Sequence, residues 1–163
     1  MTNTIQVAKR LVPVEQVALI EPYIPVEGAP LRSAKEFKGR IVLLNRDSIL
    51  TEEEPGHLAK AHGFRMIVLD QVATNPTVSY AVEIFEPGDS FTPVRPFRTR
   101  LLWRGPDRMT HSRLLVASPE TVLAVAVRGE RDPEAPAEAP EDEASRPRRA
   151  GRTRAAATAK DPA

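Results

Sequence analysis

Short apolar runs alternate along the chain with clusters of Pro, Gly, Asn and Asp, the punctuation expected of strands joined by turns. Candidate strands cover residues 5–12, 17–23, 40–45, 64–69, 77–85, 97–104, 112–117 and 121–128. Residues 17–20 and 41–44 are apolar at every position, which predicts central strands covered on both faces. In 77–85, Val78, Tyr80, Val82 and Ile84 share one face, the period of a half-buried strand. In 97–104, Thr99, Leu101 and Trp103 point one way, and Arg98, Arg100 and Arg104 the other.

One helix signal interrupts this pattern. Thr51 followed by Glu54 forms a capping box. Glu52, Glu53 and Glu54 suit the positive end of a helix dipole, and Pro55 fits a first turn. Gly63 can close the helix in the left-handed conformation. A second capping pattern, Ser33 to Glu36, covers one short turn. The expectation is a mainly β domain, barrel-like or two-sheet, with one short helix near 52–62. The alternative is an α+β sheet with that helix on one face, which a helical 121–128 after Pro119 favours. A faint echo between residues 10–19 and 113–123, each an Arg-led strand and a Pro corner, reads as a shared local corner or a duplicated half-barrel.

Composition narrows the chemistry. The 163 residues include no Cys, which excludes disulfides, thiolate metal sites and a cysteine nucleophile. Lys9 and Arg10 precede an apolar stretch that Pro13, Glu15 and Gln16 interrupt, unlike a secretory leader. No run approaches the roughly 20 apolar residues of a membrane span. Asn75-Pro76-Thr77 is disqualified as a glycosylation acceptor by its proline. These features predict a soluble, cytoplasmic chain with no membrane partner.

The net charge of +1 averages unlike segments. Residues 1–130 carry +1, residues 131–143 carry −5, and residues 144–163 carry +5. Residues 131–163 contain no Leu, Ile, Val, Met or aromatic side chain, so they have little to bury against about 1–2 kcal/mol per residue of backbone ordering entropy. The expected organisation is a single β-rich globular domain over 1–130 and a disordered, charge-segregated tail over 131–163, acidic to 143 and basic from 144.

Catalytic parts are scarce. No nucleophile elbow, phosphate-binding glycine loop or dinucleotide fingerprint occurs. His57 and His62 are five apart on the expected helix, about 140° around its axis and so on different faces. His111, Asp47, Asp70 and Glu83 complete the short roll of groups able to do acid–base work, and Asp47 and Asp70 sit where turn formers also belong. No metal site and no cofactor are expected.

The distinctive feature is basic. Between residues 95 and 113 stand Arg95, Arg98, Arg100, Arg104, Arg108 and Arg113, against the single acid Asp107. An arginine-lined strand face neutralises phosphates, although edge strands also carry charge to avoid mispairing. Trp103 alternates to the opposite face and reads as core. The tail adds Arg146, Arg148, Arg149, Arg152 and Arg154. Arg outnumbers Lys 18 to 5 along the whole chain, which dilutes what the tail alone implies. The resulting expectation is a non-enzymatic binding or regulatory module that contacts nucleic acid, or another protein, through these arginines. The alternatives are a structural subunit of a larger assembly, including a homo-oligomer, and a carboxylate- or His-dependent enzyme.

Overall fold

The computed structural model describes residues 3–24, 36–88 and 95–135. Among them the chain runs β1 (Thr4–Val7), β2 (Arg10–Pro13), a 3-10 turn Val14–Gln16, β3 (Val17–Pro22), β4 (Gly39–Leu43), β5 (Ser48–Thr51) and α1 (Pro55–His62). It continues through β6 (Arg65–Ile67), β7 (Val72–Thr74), β8 (Tyr80–Ile84), β9 (Thr99–Arg104), β10 (Thr110–Leu115) and α2 (Pro119–Val122), which passes into a π-helical turn, Leu123–Val127. Ser33, from the second capping pattern, and residues 136–163, with the five tail arginines, lie outside the described residues.

The strands form three antiparallel sheets, ordered β1-β2, β5-β4-β3-β7-β6 and β10-β9-β8. The domain is mainly β, as the alternation predicts, and none of the sheets closes into a barrel. β3 is the middle strand of five, and Val17, Ala18, Leu19 and Ile20 are all fully buried, as an uninterrupted apolar run requires. A bulge between Val17 and Leu19 breaks the register with β4. It lets Val17 and Ile20 face one layer while Ala18 and Leu19 face the other.

Two cores result. Ile5 and Val12 from the β1–β2 hairpin and Val14 from the 3-10 turn, with Leu58 and Ala59 of α1, cover one face of the five-stranded sheet. On its other face Leu19, Val42, Ile67 and Val72 meet Leu101, Trp103 and Leu115 of the three-stranded sheet, with Val122 and Val125 filling in beside them. Each large aliphatic side chain so buried contributes roughly 1.5–3 kcal/mol. Polar ties cross the same layer. Asn75, fully buried, donates from Nδ2 to the carbonyls of Val14 and Val17, both at 2.8 Å. Its Oδ1 accepts from the Thr77 backbone N–H and hydroxyl. The Tyr80 hydroxyl accepts from the Asn75 N–H and donates to the Ala18 carbonyl. Burial pushes this hydroxyl far above its ordinary value of 10, so it stays a donor.

Several expected elements differ in detail. Residues 5–12 fold as a hairpin, turned at Ala8 with φ 56°. The Thr51 capping box does not form. Thr51 ends β5, its hydroxyl accepts from the Glu53 N–H at 3.2 Å, and the helix starts after Glu54 without a side-chain cap. Glu52, Glu53 and Glu54 therefore precede α1 rather than lining its first turn. Gly63 does close it, at φ 75°. Residues 121–128 are not a strand. Ser118 caps α2 by accepting from the Thr121 N–H, and the chain stays helical to Val127. The two echoing segments accordingly diverge: the first returns as β3, the second as this helix.

Contacts of the body continue past residue 130. Asp132 is buried and accepts from the N–H groups of Val68, at 2.9 Å, and Glu134, at 2.8 Å. At the opposite end of β9, the turn after Arg104 packs on the β4–β5 turn. Trp103 Nε1 donates to the Leu44 carbonyl at 3.1 Å. A Cβ on Gly105 would stand 2.6 Å from that same oxygen. Gly105→Ala should therefore destabilise the domain by about 1–3 kcal/mol, the usual cost of overpacking. Urea unfolding measures this, and an unchanged midpoint would show that the two turns are not in contact.

Candidate functional site

The arginines of residues 95–113 have distinct fates, set by strand alternation and register. Thr99, Leu101 and Trp103 of β9 are buried, so Arg100, Leu102 and Arg104 project outward. Arg100 lies opposite Glu83 of β8, with 4.0 Å between their charged groups, and its guanidinium covers the Phe85 ring at 5.6 Å. Arg98 precedes β9. It donates to the Val116 carbonyl and pairs with Glu134 at 3.3 Å. Both pairs are well exposed and contribute little to stability.

Arg113 is different. It lies opposite Leu101, on the inward face of β10, and reaches across the layer to Glu21 of β3 at 2.7 Å. Leu19 and Glu21 share a strand face, which is why the carboxylate points towards the three-stranded sheet. Arg40 of β4, the register partner of Glu21, approaches the same oxygen at 3.9 Å. Arg46, in the β4–β5 turn, adds a third positive field. Burial nevertheless outweighs the attraction of Arg113, Arg40 and Arg46, and holds the Glu21 carboxyl above its ordinary 4.5. The Nε atoms of Arg40 and Arg113 are buried without a hydrogen-bond partner. One carboxylate thus serves three guanidiniums and leaves them under-compensated.

A cavity of about 350 Å³ opens beside this cluster, lined by Arg46, Phe97, Arg100, Ser112, Arg113 and Leu114. Its volume lies in the range of small-ligand sites. A larger cavity of about 600 Å³ lies between the β1–β2 turn and β5, but there Glu52 and Glu53 oppose Arg10. The smaller one carries arginines and no acid in its wall.

Arg95, Arg104 and Arg108 are exposed, and among the described residues their side chains make no ion pair or hydrogen bond. Arg108 sits at φ 66° in the β9–β10 turn. The face expected from sequence is therefore part paired, in Arg98, Arg100 and Arg113, and part unpaired among the described residues, in Arg95, Arg104 and Arg108. Arg46, Arg40, Glu21 and Phe97 were not expected here. The sequence signal for Glu21, a carboxylate two residues after a buried Leu, points at the layer but does not say which strand faces it.

The candidate acid–base groups take local roles. Asp47 closes an Asx turn with Asn45. Asp70 accepts from the N–H groups of Val116 and Ala117 at 2.7 and 2.9 Å. His57 meets Glu53 at 3.3 Å, and His62 meets Asn3 at 3.4 Å. Among the described residues no three His, Asp or Glu side chains gather as a metal site would require. His111 lies 3.2 Å from Asp107 and tilts against the Trp103 ring, 6.0 Å away. The Met109 N–H, then His111, hold the Asp107 carboxyl below its ordinary 3.8. A depressed carboxyl favours the folded state above its unfolded value and loses that contribution as pH falls through its folded value. Asp107→Asn should therefore flatten the acid limb of the stability profile below pH ~4 and leave the neutral limb parallel to the parent. Denaturant midpoints across this range test it; an acid limb as steep as the parent's would remove Asp107 from the account.

No protein-family model matches the chain, and neither a curated protein nor a solved structure matches it. Among the described residues no helix is long and apolar enough to cross a membrane.

Proposed function

We propose that this chain is a non-enzymatic binding module whose β9–β10 face and adjoining turns contact nucleic acid. The observation that carries this reading is the imbalance of charge along β9 and the segments at its two ends. Arg95, Arg104 and Arg108 are exposed and have no side-chain partner among the described residues, and the charged wall of the nearby cavity is arginine alone. Guanidiniums spaced in this way can neutralise successive phosphates of a nucleic-acid backbone. The reading is one of contact rather than turnover, because the candidate groups pair off separately: Asp70 with backbone N–H groups, Asp47 with Asn45, Glu83 with Arg100, and His57, His62 and His111 with Glu53, Asn3 and Asp107.

The basic tail, Arg146, Arg148, Arg149, Arg152 and Arg154, supplies a second set of phosphate contacts in this reading. If those five arginines take part, log affinity for duplex DNA falls against log salt with a slope steeper by about 4–5 than without them. Deleting residues 144–163 should flatten the slope by that amount. Absence of binding at low salt would reject the nucleic-acid reading.

Assembly into a larger particle is a second reading, favoured by one observation. Ile84, on the edge strand β8, is 74% exposed, an apolar side chain where another chain can add. A strictly monomeric mass at high concentration would reject it.

A further inference from the structure

We infer that the cavity between the β4–β5 turn and β10, an edge strand, holds one nucleotide unit, its phosphate on Arg46 and Arg113 and its base against Phe97. The inference rests on the nucleic-acid reading only for the source of that nucleotide, which is either a single-stranded chain or a free nucleoside phosphate.

The wall supplies both halves of the recognition. Arg46 has no ion pair among the described residues. Arg113 is only partly exposed, and Glu21 occupies one of its terminal nitrogens while its Nε is unpaired. A dianionic phosphate would restore the charge balance that one carboxylate leaves unmet, and charge-assisted bonds of this kind are the strong ones. Phe97 and Leu114 form the apolar part of the same wall. An aromatic ring beside guanidiniums is the arrangement by which proteins hold unpaired bases, since every base has a face to stack. A duplex cannot offer such a face without unstacking a base. The site therefore discriminates single strands from duplexes, whereas the exposed Arg95, Arg104 and Arg108 do not.

Glu21 sets the affinity. It competes with the phosphate for Arg113, and its burial already opposes its charge. Removing that charge should tighten binding, an effect that loss of folding cannot mimic.

The test uses the full chain, a labelled single-stranded oligothymidylate, a duplex of the same length, and thymidine monophosphate. Phe97→Leu keeps the apolar volume and removes the ring. It should weaken the single strand about tenfold, within the range of one lost base stack, and leave the duplex within about twofold. Glu21→Gln should tighten the single strand several-fold. If Phe97→Leu affects both polymers equally or neither, or if Glu21→Gln fails to tighten binding, the pocket is not a nucleotide site. The nucleic-acid reading then stands on the exposed arginines alone. If thymidine monophosphate binds in a Phe97-dependent way and neither polymer binds, the pocket holds free nucleotide and the nucleic-acid reading falls. Absence of binding by all three probes overturns both.

Discussion

Replacing Asn75 with Ala is expected to lower the unfolding free energy by about 2–4 kcal/mol, more than any surface substitution in the domain. Asn75 is fully buried and uses both ends of its amide. Its Nδ2 serves the carbonyls of Val14 and Val17, and its Oδ1 accepts from Thr77. The Val14 carbonyl retains a second donor, the Val17 N–H, and Thr77 is exposed to water, so the loss falls mainly on the buried Val17 carbonyl and on the space the amide leaves. Buried groups left without a partner each cost about 1–3 kcal/mol. Asn75→Asp should be no better, because it turns an oxygen towards two carbonyl oxygens. The urea midpoint should fall for both variants at an unchanged slope. A loss below about 0.5 kcal/mol, the size of an ordinary surface change, would mean that Asn75 does not tie the 3-10 turn to the sheet.

The second large effect concerns binding. Arg46, Arg104 and Arg108 stand in or beside the two turns that meet where the Trp103 indole reaches the Leu44 carbonyl. None makes an ion pair among the described residues. Changing all three to Gln should therefore alter stability by less than about 0.5 kcal/mol. On the proposed function it should weaken a single-stranded oligonucleotide at every salt concentration and make the log–log salt slope shallower by about 2, three contacts at roughly 0.7 each. Unchanged affinity with unchanged stability would show that these arginines are solvated charge and nothing more.

What could be read from the sequence follows from how local each signal is. The run from Val17 to Ile20 has no polar position, and such a strand can only lie inside. Gly63 was legible because a helix end favours a residue free to take φ 75°. Trp103 was placed in the core by alternation alone. The capping box failed because Thr51 is claimed by β5, whose pairing with Gly39 of β4 is a long-range event that local propensity does not register. β7, three residues long, was missed because Val72–Thr74 is too short for periodicity to emerge. Residues 121–128 are ambiguous in sequence, since the apolar run 122–127 within them carries no period, and Ser118 with Pro119 decides it.

The site was half legible for the same reason. The bunching of six arginines is visible in one dimension. Which of them are neutralised depends on register and on partners far along the chain: Glu83 for Arg100, Glu134 for Arg98, Glu21 for Arg113. Phe97 reads as the start of a strand until the fold sets it beside Arg46, 51 positions earlier in the chain.

The most direct test of the central claim, that the β9–β10 face and its adjoining segments are a nucleic-acid surface, is amide chemical-shift mapping. The full chain would be titrated with a single-stranded oligonucleotide at low salt. Shifts are expected to concentrate at Arg46, from Arg95 to Arg104, and from Arg108 to Leu114, with the α1 face silent. Shifts confined to residues 144–163, or no shifts at all, would contradict it.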